Sequence, residues 1–304
     1  NVLKRSVFGQ IHMKRPEVVL GAGVGEDCAA VKLAPDETLV MSTDPITGTA
    51  KDIGTLAIQI TVNDLASSGA EPVGVLLTVL LPASVEEPEL RLMMAQVEAE
   101  CEKAGVQIMG GHTEVTAVVN QPVVTVCGVG KVKDGRLVST AGAKPGMDIL
   151  GSKWIRIEGT AISAKEKEAE LLTRITSSFV DEAKRLDQYI SVQKEAAAAV
   201  RCGVGAMHDV TEGGIFGALW EMAEASGVGL SIDLKSIPVR QETIEICEFF
   251  GINPYQLISS GCMLMAADDG NALVRELKKE GIPATVIGKA LDGKDRVLEN
   301  GDER

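Results

Sequence analysis

Apolar stretches of strand length alternate with stretches of helical periodicity in the first half of the chain. A period of two residues or a short continuous apolar run is typical of a strand, and apolar residues three to four apart are typical of a helix. The predicted strands are residues 37–42, 73–81, 106–109 and 123–132, and the predicted helices are residues 53–68 and 88–103. The order is therefore strand, helix, strand, helix, strand, strand.

The second half alternates in the same way. The pattern predicts strands at residues 149–157, 205–209, 229–234, 262–267 and 284–288, and helices at residues 162–186, 192–201, 215–225, 240–250 and 271–280. The tail from Asp292 is charged, and we expect it to be frayed or a small hairpin. A turn signal at residues 143–147 separates the halves, which predicts two α+β domains, 1–146 and 147–304.

Composition limits the function. The net charge of −13 argues against a nucleic-acid surface, which needs clustered Lys and Arg. No apolar run reaches the length of a membrane span, and no signal peptide is evident, so we expect a cytoplasmic protein. The six cysteines are spread without a CxxC pair, which favours free thiols, most of them buried, over disulfides or a zinc site.

Acidic residues lie beside glycines near the N-terminus. In residues 21–27, three alternating glycines precede Glu26 and Asp27, and such carboxylates can hold Mg²⁺ together with phosphate oxygens. Asp44 follows a predicted strand and could be a second carboxylate for the metal. The alternative is an ordinary turn aspartate whose side chain bonds its own backbone. Asn63 and Asp64 lie inside an apolar helix, where a carboxylate is costly unless it is paired, binds a metal or meets solvent.

Two further motifs contain paired glycines. Gly110 and Gly111 precede His112, Thr113 and Glu114 after a predicted strand, and they could let backbone approach a phosphate; a surface histidine is the alternative for His112. Residues 208–214, His-Asp-Val-Thr-Glu-Gly-Gly, open a predicted helix, whose N-terminal N–H groups favour anions. Thr211 as an ordinary N-cap is the alternative, and it is compatible with anion binding.

The order of these blocks resembles the aminoimidazole-ribonucleotide (AIR) synthetase superfamily, which is PurM-like, and within it the HypE-like and AIR synthase-related proteins. The resemblance extends over about residues 24–288 and rests on five blocks in the right order: residues 25–31, 42–44, 62–72, 110–113 and 208–214. It implies two α+β domains. The N-terminal domain would contribute strands to a β-barrel across a homodimer, and the C-terminal domain would be an α/β sandwich.

The resemblance also implies ATP and Mg²⁺ as cofactors. It assigns metal binding to Asp27, Asp44 and Asp64, and catalysis to Asp64, His112 and Asp209. The implied nucleotide-binding residues are Gly25, Glu26, Asp27, Thr43, Asp44, Asn63, Asp64, Gly110, Gly111, Thr113, Thr211, Gly213 and Gly214. The family chemistry is phosphorylation of a carbonyl or carbamoyl oxygen of a small-molecule or protein-bound substrate, followed by dehydration or displacement, as in hydrogenase maturation.

Other functions stay open at this point. The chain could act as a small-molecule kinase similar to thiamine-monophosphate kinase, resemble selenophosphate synthetase, or serve as a nucleotide-binding scaffold without catalysis. HypE carries a C-terminal cysteine that is modified, whereas no cysteine follows Cys262 here, so either the tail is truncated or that chemistry is absent. For Cys262 itself, the apolar strand that follows it favours a buried structural thiol over a nucleophile.

Overall fold

The computed structural model describes residues 2–22, 29–47 and 52–301. The chain divides into two compact units. Unit 1 contains Asn1–Ala66 and Ala70–Leu137, and unit 2 contains Ser67–Gly69 and Val138–Arg304. Each combines a sheet with helices, so the prediction of a two-domain α+β protein is confirmed at this level. The boundary predicted at residues 146 and 147 stays a prediction.

Unit 1 is built on a four-stranded sheet. Its elements are α1 (Val2–Ser6), β1 (Val18–Leu20), β2 (Ala30–Val31), β3 (Glu37–Ile46), α2 (Ile53–Ser67), β4 (Glu71–Leu81), α3 (Glu87–Ala104), β5 (Gln107–Val115) and β6 (Val123–Lys133). The strand order is β3-β6-β4-β5, with β4 and β5 parallel and the other neighbours antiparallel. Strands β1 and β2 form a separate antiparallel pair.

One face of this sheet is covered by the helices, and the other is open. Leu77 and Val126, which are in register, are buried in one cluster with side chains of α2 and α3. On the opposite face, Leu39 is 47% exposed and Met41 is 57% exposed. The sheet therefore has a buried face under the helices and a second face, which we call the open face, on which Leu39 and Met41 are exposed.

Glycines let α2 approach the sheet closely. A Cβ built on Gly128 of β6 would lie 2.5 Å from Cγ2 of Thr61, and one on Gly130 would lie 3.3 Å from Cβ of Ala70. No side chain fits at Gly128 without a shift of the helix. This close approach fixes the height of α2 above β3 and β6, and it decides where the polar residues of the helix lie.

Unit 2 contains a six-stranded mixed sheet. Its elements are β7 (Asp148–Ser152), α4 (Ile157–Glu166), α5 (Glu168–Leu171), α6 (Ser177–Lys184), α7 (Gln193–Arg201), β8 (Ala206–Asp209), α8 (Gly214–Ser226), β9 (Gly229–Asp233), α9 (Gln241–Phe250), β10 (Met263–Ala267), α10 (Gly270–Lys279), β11 (Ala284–Leu291) and β12 (Arg296–Glu299). The strand order is β12-β9-β11-β7-β10-β8, and β12 pairs with β9 in parallel.

Three sequence predictions in unit 2 were wrong. The long helix at residues 162–186 is three helices, α4 to α6, separated near Lys167 and by residues 172–176, where β-branched Thr173, Ile175 and Thr176 weaken helix formation. The strand predicted to Ile157 ends at Ser152, because Lys153 and Arg156 adopt positive φ. The tail is neither frayed nor a hairpin over residues 296–299, because these residues form the edge strand β12.

Most of the remaining predicted helices and strands are confirmed within a few residues of their ends, but β3 and β5 extend past their predicted ends at residues 42 and 109, to Ile46 and Val115. No helix among the described residues is long and apolar enough to cross a membrane.

Candidate functional site

Two of the predicted acids lie on the same side of the sheet in unit 1. The hydroxyl of Ser42 on β3 donates a hydrogen bond of 2.5 Å to Oδ2 of Asp64 on α2. Asp44 lies two positions after Ser42 on the same strand and therefore faces the same side, about 7 Å further along. Both aspartates are half-buried. We call Ser42, Asp44 and Asp64 the acid patch.

Asp44 lies inside a strand, although the sequence predicted a strand end. Strand β3 continues to Ile46, and Asp44 pairs with Val126 while Pro45 pairs with Thr125. Proline did not end the strand because β3 is at the edge of the sheet, where a missing N–H donor is tolerated. Successive side chains alternate between faces, so Thr43 is exposed on the open face, away from Asp64.

The double glycine also lies within a strand, and not after one as predicted. Gly110 and Gly111 belong to β5, at the edge of the sheet opposite β3. Asp44, Val126, Leu77 and Gly111 form one row across the four strands. Three strand spacings separate Asp44 from Gly111, about 14 Å. The structure thus places the acids and the glycines at the two ends of one row.

A small cleft lies beside the double glycine. It has a cavity volume of about 70 Å³ and is lined by Gly110, Gly111, His112 and Thr113 together with apolar side chains such as Phe8 and Met94. Gly111 has φ of +144°, and a Cβ there would lie 2.0 Å from the carbonyl oxygen of Leu77, so only glycine fits. The His112 side chain is exposed, 3.4 Å from Oε2 of Glu114. The cleft combines an apolar wall with exposed polar groups.

In unit 2, the glycine pair begins helix α8. Gly213 is its N-cap with φ of +74°, so the alternative of Thr211 as the N-cap is wrong. Two of the N–H groups at this helix start already donate to carbonyl oxygens, that of Gly214 to Thr211 and that of Phe216 to Tyr255. The helix end therefore has fewer available donors than the sequence suggested.

The residues before this helix start have different exposures. Asp209 is 7% exposed at the end of β8, opposite Met263 of β10. Nε2 of His208 lies 2.7 Å from Oε2 of Glu221 on α8. Glu212 and Gly213 are exposed and form the surface of this segment.

The acid patch offers a partial donor set for Mg²⁺. Asp44 and Asp64 supply two carboxylates on one face, and Mg²⁺ in nucleotide sites is typically bound by one or two carboxylates with phosphates and waters. Gly25, Glu26 and Asp27 lie outside the described residues. Among the residues that are described, no group of three His, Cys, Asp or Glu side chains is placed to hold a metal.

Several buried polar residues of unit 2 were not predicted as functional. Lys153, Arg156, Glu158 and Ser260 are each 5% exposed or less. For Lys153, Arg156 and Glu158 the signal in the sequence was the one used for Asp64, a charged side chain in an apolar stretch, here residues 153–161. The buried structural interpretation of Cys262 is confirmed, because it is 1% exposed and burial raises the pKa of its thiol to about 12.

Comparison with known proteins gives consistent similarities. Family models described as AIR synthase related protein match residues 25–132 with the N-terminal domain and residues 144–299 with the C-terminal domain. The chain is 31% identical to a carbamoyl dehydratase HypE of Cupriavidus necator, with 88% of this chain and 77% of that protein covered. It is 26% identical to a thiamine-monophosphate kinase of Salmonella typhimurium, with coverage of 93% and 87%.

A solved structure of the hydrogenase maturation protein HypE in complex with ATP superposes with a TM-score of 0.79 at 25% identity. The match covers 95% of this chain and 85% of that one.

Proposed function

Because the chain belongs to the family of AIR synthase related proteins, we propose that it is an ATP- and Mg²⁺-dependent enzyme that phosphorylates a carbonyl or carbamoyl oxygen. The phosphorylated oxygen becomes a leaving group, so the substrate is activated for dehydration or displacement. The similarity to carbamoyl dehydratases and to an ATP-bound HypE structure supports this function. Phosphoryl transfer needs mainly positioning and neutralisation of charge, which agrees with the residues present.

The acid patch is the observation that carries the proposal. Asp44 and Asp64 would each add repulsion toward the polyphosphate of ATP unless a cation lies between them and the phosphates. Asp64 is held by Ser42, so its carboxylate has a fixed position for such a cation. We assign Asp44 and Asp64 to Mg²⁺, with Asp27 as a third ligand and with Glu26 and Gly25 in the nucleotide site, as the resemblance implies.

The other predicted residues keep their proposed roles. Gly110, Gly111 and Thr113 line the cleft in unit 1 and are assigned to nucleotide contacts, with His112 beside them as a catalytic candidate. The resemblance also implies nucleotide contacts for Asn63 and Thr43, although Asn63 is 1% exposed on α2 and Thr43 faces away from Asp64. For Asp209, Thr211, Gly213 and Gly214 in unit 2 we keep the catalytic and nucleotide-binding roles that the resemblance implies.

A homodimer through the open face of the unit 1 sheet is part of this proposal. Leu39 and Met41 are exposed on β3, and burial of their apolar surface against a second copy would stabilise the dimer. Replacement of Met41 by Lys should convert a dimer to a monomer in sedimentation velocity. The cytoplasmic location stays a prediction.

The test is Mg-ATP binding by calorimetry together with ATP hydrolysis. The Asp64→Asn variant keeps a hydrogen-bond acceptor for Ser42 but removes the charge, and we expect its Kd for Mg-ATP to rise about tenfold or more, equivalent to about 1.4 kcal/mol. Asp44→Asn should act in the same direction. After removal of Mg²⁺ by a chelator the variants should no longer bind ATP more weakly than the wild type, because the wild-type carboxylates then repel the phosphates.

A matched control is Asp134→Asn. Asp134 directly follows β6 and accepts a hydrogen bond of 3.3 Å from Thr38 on β3, and it lies outside the acid patch. Its substitution should leave the Kd for Mg-ATP unchanged. Equal Kd values for the wild type, Asp64→Asn and Asp44→Asn would refute the metal assignment.

A kinase that stops after phosphoryl transfer is the second candidate, favoured by the similarity to thiamine-monophosphate kinase. The two functions differ in their products. A kinase accumulates a stable phosphorylated product, whereas the activating enzyme releases ADP and inorganic phosphate in equal amounts when its carbamoyl substrate is present.

A further inference from the structure

Three segments of unit 2 meet at one edge of its sheet. Strands β7 and β8 both run antiparallel to β10, so the ends of β7 and β8 lie where β10 begins. The segments that meet there are residues 153–156 after β7, residues 210–213 after β8, and residues 255–262 before β10. The second contains Thr211, which belongs to the proposed nucleotide site.

Residues 255–262 support the segment after β8 through the backbone. The N–H of Ser259 donates to the carbonyl of Thr211 at 3.3 Å, and that of Val210 donates to Cys262 at 2.9 Å. A Cβ on Gly214 would lie 2.6 Å from the carbonyl oxygen of Tyr255. The position of residues 210–214 therefore depends on the position of residues 255–262.

The start of α4 in turn holds this support. The N–H of Arg156 donates to the hydroxyl of Ser259 at 3.0 Å, and the N–H of Glu158 donates to the carbonyl of Ser260 at 3.3 Å. The guanidinium of Arg156 is directed to Sγ of Cys247 on α9, 2.6 Å away. These contacts make α4 a second layer beneath the segment after β8.

The side chain of Glu158 is buried in this layer. It is 3% exposed, and neither its Oε2 nor the hydroxyl oxygen of Ser260 has a hydrogen-bond partner among the described residues. Burial raises the pKa of the Glu158 carboxyl, the neighbouring Ser260 opposes this, and the charge of Glu212 raises the pKa further. Glu212, on the exposed segment after β8, is therefore the charged group that acts on Glu158.

Of the other charges at this edge, Lys153 has an ionic partner of its own, whereas Nε of Arg156 has no hydrogen-bond partner among the described residues. The ammonium of Lys153 contacts Glu195 on α7 at 2.5 Å, next to the thiol of Cys262. A negative charge on Glu158 would act on Glu212, whose charge already raises the pKa of Glu158, and on an anionic ligand held by the same segment. A neutral carboxyl avoids this repulsion and can donate a hydrogen bond.

We propose that Glu158 is a positioning residue for Mg-ATP: its N–H holds the carbonyl of Ser260, and its side chain, as the neutral acid, adds no charge beneath the segment of Thr211 and Glu212, which therefore stays in place. This inference rests on the proposed function, because it concerns the nucleotide contacts of the same site. It gives a role to a buried acid that the sequence analysis did not assign. Ionisation of Glu158 would loosen the segment and weaken Mg-ATP binding.

The experiment measures the Kd for Mg-ATP from about pH 5 to about pH 9 for the wild type and for Glu158→Gln. Glutamine has nearly the same shape and cannot ionise, and the titration of ATP itself is common to both proteins. We expect the ratio of the wild-type Kd to the variant Kd to rise about tenfold as the pH passes the raised pKa of Glu158. A constant ratio across the range would overturn the inference.

Amide hydrogen exchange without nucleotide provides a second measurement. The N–H groups of Ser259 and Gly214, both of which donate to Thr211, should exchange about tenfold faster in the wild type than in Glu158→Gln above the pKa of Glu158. Equal exchange at every pH would also overturn the inference. If the wild type binds no Mg-ATP, the proposed function fails, and hydrogen exchange still decides the role of Glu158.

The matched control is Glu242→Gln. Glu242 is a second buried carboxyl of unit 2, 4% exposed, and its Oε1 accepts a hydrogen bond of 2.6 Å from Arg240. This pairing lowers its pKa against the effect of burial, so Glu242 is ionised over the whole range. Its substitution should leave the ratio of Kd values independent of pH.

Discussion

The two units use charged side chains in different ways. In unit 1, Asp44 and Asp64 are half-buried on a face between a strand and a helix. In unit 2, Lys153 and Glu195 are almost completely buried beside a sheet edge. A half-buried carboxylate can meet a cation without losing all its hydration, whereas a buried ion pair mainly fixes the backbone around it. The difference separates the acid patch, which we propose as a surface for ligand binding, from a structural clamp formed by Lys153 and Glu195.

In the structural clamp of unit 2, each of the three donors of the Lys153 ammonium has an acceptor. The ammonium of Lys153 lies 2.5 Å from Oε1 of Glu195 and donates to the carbonyls of Tyr189 at 2.7 Å and Ser191 at 2.6 Å. Burial lowers the pKa of Lys153, and Glu195 opposes the shift. Lys153 also has φ of +51°, a conformation that is unfavourable for a residue with a side chain. The contacts of the ammonium offset this strain.

The largest effect is expected for Lys153→Met. The substitution leaves Glu195 buried without its cation, and we expect a loss of about 3 to 5 kcal/mol in the free energy of unfolding, measured by urea denaturation. The double variant Lys153→Met and Glu195→Leu should recover a large part of this loss. If the single variant is as stable as the wild type, the ion pair is not a clamp, and the contrast between the units fails.

An intermediate effect is expected for Gly128→Val, which tests how the acid patch is positioned. The new side chain would overlap Thr61 and push α2 away from the sheet, at a cost of about 1 to 3 kcal/mol in the free energy of unfolding. The same displacement would separate Asp64 from Ser42 and weaken Mg-ATP binding. Gly151→Ala is the control, because its Cβ would meet only Sγ of Cys262 at 3.9 Å. Unchanged stability of Gly128→Val would contradict the close packing of α2.

The smallest effect is expected for Glu17→Gln, a paired acid of unit 1 outside the acid patch. Arg15 lies 2.9 Å and Lys131 lies 2.7 Å from Oε1 of Glu17, and the hydrogen bond from Arg15 is the main cause that lowers its pKa to about 2. Because folding lowers the pKa of Glu17, its ionised carboxylate stabilises the folded state. This contribution is complete above the ordinary pKa of about 4.5 and is lost as the pH falls through about 2.

The wild type should therefore lose more stability than Glu17→Gln between pH 4.5 and pH 2 in thermal unfolding, by about 1 kcal/mol. An equal acid sensitivity of both proteins would show that this carboxylate is not linked to folding.

Local pattern was enough to predict most of the helices and strands and the two-domain α+β class. Residues 53–67 and 87–104 have helical periodicity and end at glycines that take positive φ, Gly69 and Gly105. The pattern failed where contacts distant in sequence decide the conformation. Lys153 and Arg156 adopt positive φ next to an apolar strand because buried partners hold them, and β12 forms because β9 offers a free edge.

The sequence by itself determined the order of acids and glycines from which we predict the residues that carry the chemistry, because that order is a local property of the chain. Only the tertiary structure decided their arrangement. Close packing at Gly128 brings Asp64 to Ser42, strand alternation sends Thr43 to the other face, and strand order puts Gly111 at the far end of the row from Asp44. The buried state of Glu158 likewise depends on segments about 50 to 100 residues away, since burial is a property of the packed fold.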